Sequence, residues 1–203
     1  MQKNLVFDFG NVLIDLDFRR TTDQLIHWLG EDYRTKIPDQ VFTDFEVGKI
    51  TEAEFFNALR ATAQYPVSIL QLKEAWNGML LEIPSARLEM LERLRKDHAI
   101  YLLSNTNITH INYVHGYLDA VHGIKDFETR FFDKAYYSHE INLRKPNSDI
   151  YEFLLKDAGL KPHETLFIDD IAENIEAAKR LGIQTHLHPV GAEITHLFKH
   201  VTV

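Results

Sequence analysis

Four short apolar runs, each ending in polar residues able to do chemistry, limit the fold of this 203-residue chain more than any other feature. They are Leu5-Val6-Phe7 before Asp8, Ile100-Tyr101-Leu102-Leu103 before Ser104, Ala135-Tyr136-Tyr137 before Ser138, and Leu166-Phe167-Ile168 before Asp169. Runs of this kind read as strands buried on both faces, the condition of a parallel sheet. Helix-length segments lie between them, with apolar residues three and four apart: Leu88, Leu91 and Leu94, then Ile150, Tyr151, Leu154 and Leu155. A last one, Ala172 to Leu181, stops at Gly182, a natural helix C-cap. The alternation predicts an α/β fold with a doubly wound parallel sheet. Such sheets bind ligands beyond the carboxyl ends of their strands, so the polar run-ends are expected to share one site.

The interval from about Asp15 to Pro84 breaks the alternation and reads as all helix. Thr51-Glu52-Ala53-Glu54 and Ser68-Ile69-Leu70-Gln71 both fit the capping box. Phe55, Phe56 and Leu59, then Leu72, Trp76, Met79 and Leu80, follow at helical spacing and predict a small helical core. Gly48 marks a turn. The expected division is a core of residues 1–15 and 85–203 carrying an inserted helical unit, 16–84.

With 22 Lys+Arg against 30 Asp+Glu, the net charge of −8 opposes binding to nucleic acid or an anionic membrane surface. The absence of cysteine excludes a disulfide framework and any thiolate metal site. Met1 to Asn4 leads straight into the first strand with no apolar leader, which points to a cytoplasmic protein.

The chemistry lies at the run-ends. A carboxylate at Asp8 can attack phosphorus and form an aspartyl phosphate; capping a turn is the plainer role. Ser104 and Asn105 offer neutral donors suited to phosphoryl oxygens. Lys145, in Arg144-Lys145-Pro146, can place a cation beside both nucleophile and phosphate. Asp169-Asp170 is the sharpest local signal, since adjacent acids at a strand end are costly unless a cation sits between them. Mg²⁺, which takes one or two carboxylates, waters and a phosphate oxygen, fits Asp8 with Asp170. Asn174, four residues on, returns to the same helix face and is placed to hold a metal-bound water or orient Lys145.

Taken together, the four motifs resemble the haloacid dehalogenase superfamily, whose phosphatases carry a nucleophilic Asp, a Ser or Thr, a Lys and a terminal acidic pair in this order. The likeness spans the whole chain, and the insertion resembles the family's C1-type helical cap on a Rossmann-like core. Asp8-Phe9-Gly10-Asn11-Val12, with Ser104-Asn105-Thr106-Asn107 and Arg144-Lys145-Pro146, most resembles the bacterial branch that includes α-D-glucose-1-phosphate phosphatase. The resemblance implies Asp8, the Gly10 carbonyl and Asp170 as Mg²⁺ ligands, with Asp169 a ligand or close support. It further implies that Phe9, Gly10, Ser104, Asn105 and Lys145 surround the phosphoryl group of a small phosphorylated metabolite, such as a sugar phosphate.

One departure stands out. Family phosphatases usually carry a second Asp two residues after the nucleophile, as general acid and then base, and here that place is Gly10. Asp15 is a substitute acid or, more simply, a polar residue at the hinge. Three readings follow: a phosphomonoester hydrolase, a dehalogenase-type hydrolase using Asp8 on carbon–halogen bonds, and a phosphate-binding scaffold without turnover. His186 and His188 share a strand face, but no acid or third His at ligand spacing supports a metal there.

Overall fold

Five parallel strands form one sheet in the order β3-β2-β1-β4-β5, comprising β1 (Asn4–Phe7), β2 (Ala99–Ser104), β3 (Lys134–Tyr137), β4 (Thr165–Asp169) and β5 (Gln184–Leu187). The computed structural model describes residues 3–199. β1 is the central strand, with Phe7 opposite Leu102 of β2 on one side and Ile168 of β4 on the other. The chain winds outward from β1 through β2 to β3, then returns to lay β4 on the far side of β1. At such a reversal the loops part and leave a crevice at the carboxyl ends of the strands. Asp8, the next residue after β1, stands in it.

Between β1 and β2 the chain builds the predicted helical insertion from α1 (Phe18–Leu29), α2 (Tyr33–Lys36), α3 (Asp39–Glu46), α4 (Glu52–Arg60) and α5 (Ile69–Asn77). Both capping boxes are present. Thr51 Oγ1 accepts the Glu54 N–H at 3.2 Å while Glu54 Oε2 accepts the Thr51 N–H at 2.7 Å, and Ser68 and Gln71 repeat the exchange. Phe55 is the hub of a separate core: it stacks on Phe45 at 4.1 Å between centroids and meets Trp76 edge-on at 4.8 Å. Gly48 turns the chain between α3 and α4 at φ +69°.

The two connections of the insertion run side by side. Asp15 N–H donates to the Glu82 carbonyl, Leu81 N–H to that of Asp15, and Asp17 N–H to that of Met79, at 2.9–3.0 Å, around an antiparallel bridge between Leu16 and Leu80. This short ribbon was hidden in the helical reading of the interval, because one bridge leaves no period-two pattern. Arg87, buried below it, donates to the Leu13 carbonyl and to the carboxylates of Asp15 and Glu193.

The remaining helices are α6 (Ser85–Leu94), α7 (Ile108–His122), α8 (Phe127–Phe131), α9 (Ser138–Ile141), α10 (Ser148–Asp157) and α11 (Ala172–Arg180). Side chains alternate along each strand. Leu5, Phe7, Ile100 and Leu102 therefore meet α6, α7 and α8 on one face, and Val6, Tyr101, Leu103 and Phe167 meet α10 and α11 on the other. Each fully buried leucine of this kind contributes about 1.5–3 kcal/mol. Among the described residues no helix is long and apolar enough to cross a membrane.

Because the core around Phe55 is separate from those on the sheet, Phe55→Ala should cost the insertion about 3–5 kcal/mol and leave the sheet cores intact. Trp28 and Trp76, the chain's two tryptophans, both lie in the insertion. Their fluorescence in Phe55→Ala should change at lower urea than far-UV circular dichroism does. Coincident transitions would show instead that insertion and sheet unfold as one unit.

Candidate active site

Lys145 ties the strand ends together. Its Nζ donates to Asp8 Oδ1 at 2.7 Å, to Asp169 Oδ2 at 2.7 Å and to the Leu103 carbonyl at 2.8 Å. The side chain is 1 % exposed, and its ammonium lies 5.4 Å from the Phe167 ring centroid. Burial alone would lower the Lys145 pKa, but the charges of Asp8 and Asp169 outweigh it and the net shift is upward. For Asp8 the balance falls the other way. Burial raises its pKa from 3.8 to about 7, against the pull of Lys145 and with the further push of Asp169. Two buried carboxylates thus share one buried ammonium.

The two adjacent acids have different surroundings. Asp169 is fully buried and its oxygens are engaged: Oδ1 accepts from the Ile171 N–H at 2.8 Å and Asn174 Nδ2 at 3.0 Å, and Oδ2 from Lys145 and again from Asn174. Asp170 is half-buried, and its only described hydrogen bond is from Asn11 Nδ2 to Oδ2 at 2.9 Å. One oxygen each from Asp8, Asp169 and Asp170 lie within 4.8 Å of one another, the only such acid or histidine cluster among the described residues. Hard oxygen donors in this arrangement suit Mg²⁺. With Asp169 saturated, Asp8 and Asp170 are the carboxylates left to face a cation.

The other expected residues fall around this centre. Ser104 ends β2 and lines the crevice beside Asp8. The Asn105 side chain faces the lysine loop rather than open space: its Nδ2 donates to the Lys145 carbonyl and its Oδ1 accepts the Lys145 N–H, both at 2.9 Å. Both bonds turn the amide toward that loop. Phe9 offers its backbone, since its ring is buried against Phe127. Asn174 reaches Lys145 through Asp169, with no direct bond between them. Asp15 lies outside the cavity lining, its carboxylate held by Arg87 at 2.8 Å beside the ribbon. His188 is buried and its Nε2 meets the Ala192 carbonyl at 3.0 Å.

Several contributors escaped the sequence reading. Asn11 adopts φ +54°, a left-handed conformation that asparagine tolerates better than most residues and that aims its amide at Asp170. Its place after Gly10 is the signal that could have found it. Arg34, Phe42 and Trp76 of the insertion line, with Asp8 and Lys145, a cavity of about 890 Å³. His110 backs that wall, stacked on Trp76, and burial lowers its pKa to about 4, so it is neutral at physiological pH.

A doubly wound sheet whose central strand ends in a lysine-paired carboxylate, with further acids on the next strand, defines a class of hydrolases. The chain belongs to the haloacid dehalogenase-like hydrolase family, which residues 2–182 match. D-ribitol-5-phosphate phosphatase of Bacteroides thetaiotaomicron is 32% identical over 95% of each chain. A sesquiterpene phosphatase of Aspergillus oryzae is 29% identical over 89% of this chain and 87% of its own. Among solved structures, a haloacid dehalogenase family enzyme of Bacteroides thetaiotaomicron in a magnesium complex superposes with a TM-score of 0.90 at 37% identity, over 98% of both chains.

The unequal charge of the crevice has a measurable consequence. A carboxyl whose folded pKa lies above its unfolded value adds stability below the unfolded value and loses it as pH rises through the folded one. For Asp8 that window runs from 3.8 to about 7. In EDTA at pH 8, Asp8→Asn should therefore melt above wild type, by about 2–4 °C per kcal/mol recovered. The gap should shrink toward pH 5, where wild-type Asp8 is protonated. An equal or lower midpoint at pH 8 would mean that Lys145 already compensates both carboxylates.

Proposed function

We propose that this chain is a Mg²⁺-dependent phosphomonoester hydrolase acting on a small phosphorylated metabolite, such as a sugar or sugar-alcohol phosphate. The carrying observation is the buried contact of Lys145 with both Asp8 and Asp169, with Asp170 left open beside them. The phosphatase relatives support the reaction class, and the magnesium complex of the solved relative supports the metal. In this reading residues 1–15 and 85–203 are the catalytic core and 16–84 a cap that walls the cavity and meets the leaving group.

Asp8 attacks phosphorus as the bond to the leaving oxygen breaks, giving an aspartyl phosphate and an alcohol once that oxygen takes a proton. Water then attacks the same phosphorus, restoring the Asp8 carboxylate and releasing inorganic phosphate. Bound Mg²⁺, held by Asp8, Asp170 and the Gly10 carbonyl, would neutralise phosphoryl charge and favour the ionised Asp8 that burial opposes. Ser104 Oγ, the Asn105 N–H and the backbone of Phe9 and Gly10 bind the phosphoryl oxygens. Lys145 turns its charge from Asp8 to those oxygens as the nucleophile's own charge is spent. Asp169 and Asn174 keep the lysine in place.

The acidic pair disfavours the dehalogenase reading, whose displacement at carbon needs no metal. Gly10 leaves proton donation to the alcohol unassigned. D-ribitol 5-phosphate, the substrate in the relative's name, is a primary alkyl ester with a poor leaving group. A shared substrate would require a donor other than residue 10.

Two kinds of measurement test this, the first made on single variants. With Mg²⁺ present, Asp8→Asn should retain its fold and lose turnover by at least about 10³-fold. Asp170→Ala should raise the Mg²⁺ concentration needed for half-maximal rate far more than Asp15→Ala does; equal shifts would remove Asp170 from the metal site. The second is a plot of log rate against leaving-group pKa. General acid help is typically worth about 10² to 10⁴, so its lack predicts a steep negative slope and preference for anomeric, acyl or aryl phosphates. Gly10→Asp should flatten the slope, best combined with Leu16→Ala because a Cβ at position 10 lies 2.7 Å from Leu16 Cδ1. A flat wild-type slope would show that another residue already donates.

A further inference from the structure

One corner of the insertion, Glu46-Val47-Gly48, is fastened to the loop after β3 by contacts that neither the hinge nor the proposed chemistry requires. Arg144 Nε donates to Glu46 Oε1 at 2.6 Å, and Asn142 Nδ2 to the Val47 carbonyl at 2.7 Å. Ser138, fully buried, places Oγ 2.6 Å from the Glu46 carbonyl while accepting the Thr106 N–H at 2.8 Å. Gly48 sits so close to the core that a Cβ would lie 2.1 Å from the His139 carbonyl oxygen. A carboxylate on the last residue of α3 faces the negative end of the helix dipole, an unfavourable place for it without a cationic partner. Arg144 and Glu46 side chains are 36 % and 29 % exposed, and pairs of that exposure add little to stability. Their value is positional.

The core residues of this clasp adjoin the two loops that face the phosphoryl group. Arg144 precedes Lys145, whose backbone is tied on both sides to Asn105, and Ser138 holds the N–H of Thr106, the residue after Asn105. The Ser138 hydroxyl has one proton and two carbonyls within reach, Glu46 at 2.6 Å and Thr106 at 2.9 Å. The shorter of the two reaches the corner, so this hydroxyl joins the Glu46 carbonyl to the loop after β2.

We propose that Glu46 is a positioning residue of the reaction. By gripping Arg144 and Ser138 it sets the Ser104–Thr106 and Lys145 loops in their phosphate-binding geometry, so the site is complete only while this corner is docked. The inference rests on the phosphatase reading of the site.

Inorganic phosphate with Mg²⁺ is the probe, because it fills the phosphoryl site without touching a leaving-group pocket. Its affinity is read by calorimetry, beside turnover of p-nitrophenyl phosphate by the full chain. Glu46→Gln should weaken phosphate binding and lower kcat, each on the order of tenfold, as small misplacements of reacting groups do, with little change in melting temperature. Gly48→Ala should do the same more strongly, and Glu46→Arg combined with Arg144→Glu should recover part of the loss that either single change causes. Should Gly48→Ala fail to fold, the near-isosteric Glu46→Gln still decides the matter. Phosphate affinity and kcat within twofold of wild type in folded Glu46→Gln, or a charge exchange no better than its single changes, would overturn the proposal. If wild type binds phosphate but turns over no ester, the phosphatase reading fails while the calorimetric comparison still tests the clasp.

Discussion

The ammonium of Lys145, shut between two carboxylates, is the constraint on which the rest of the structure depends. Leaving water costs each of these charges several kcal/mol, and only close geometry with every hydrogen bond made offsets it. The fold meets that condition from several directions. β1 and β4 lie side by side, which brings Asp8 and Asp169 to one ammonium. Asn174 and the Ile171 N–H fix Asp169, and Asn105 fixes the backbone of the lysine itself. The remaining imbalance, one carboxylate too many, is the charge that a divalent cation is suited to complete.

The parts of this arrangement that follow from local chemistry were legible in the sequence. Apolar runs marked β1 to β4, and the two capping boxes marked the starts of α4 and α5 at Thr51 and Ser68. What joins parts distant in the chain was less so. Asp8 and Lys145 are separated by 137 positions, and their contact follows from strand order, which periodicity does not encode. Order along the chain and likeness to a family brought them together on paper; the sheet does it physically. Asn105 shows the limit of residue-type reasoning. An amide at a strand end suits a phosphate as well as a backbone, and only the neighbouring loop decides that it holds Lys145.

Asp169 and Asp170 make the same point with a finer distinction. The sequence presents two equal acids, yet one side chain falls on the buried side beside Lys145 and the other toward the cavity and Asn11. Successive residues at a strand end point in opposite directions. That geometry divides the pair into a support for the lysine and a carboxylate turned toward the cavity, a division that composition alone could not supply.

Gly10 joins the chemistry to the mechanics of the insertion. The residue that would carry the usual acid instead lies against Leu16, whose backbone bridges Leu80 and so belongs to the ribbon connecting the insertion. A Cβ at position 10 would lie 2.7 Å from Leu16 Cδ1, the far end of that side chain. An acid at this place would require the Leu16 side chain to shift where the ribbon begins, beside the loop that carries Asp8, so the residue at position 10 is coupled to the packing of the connection rather than to its backbone.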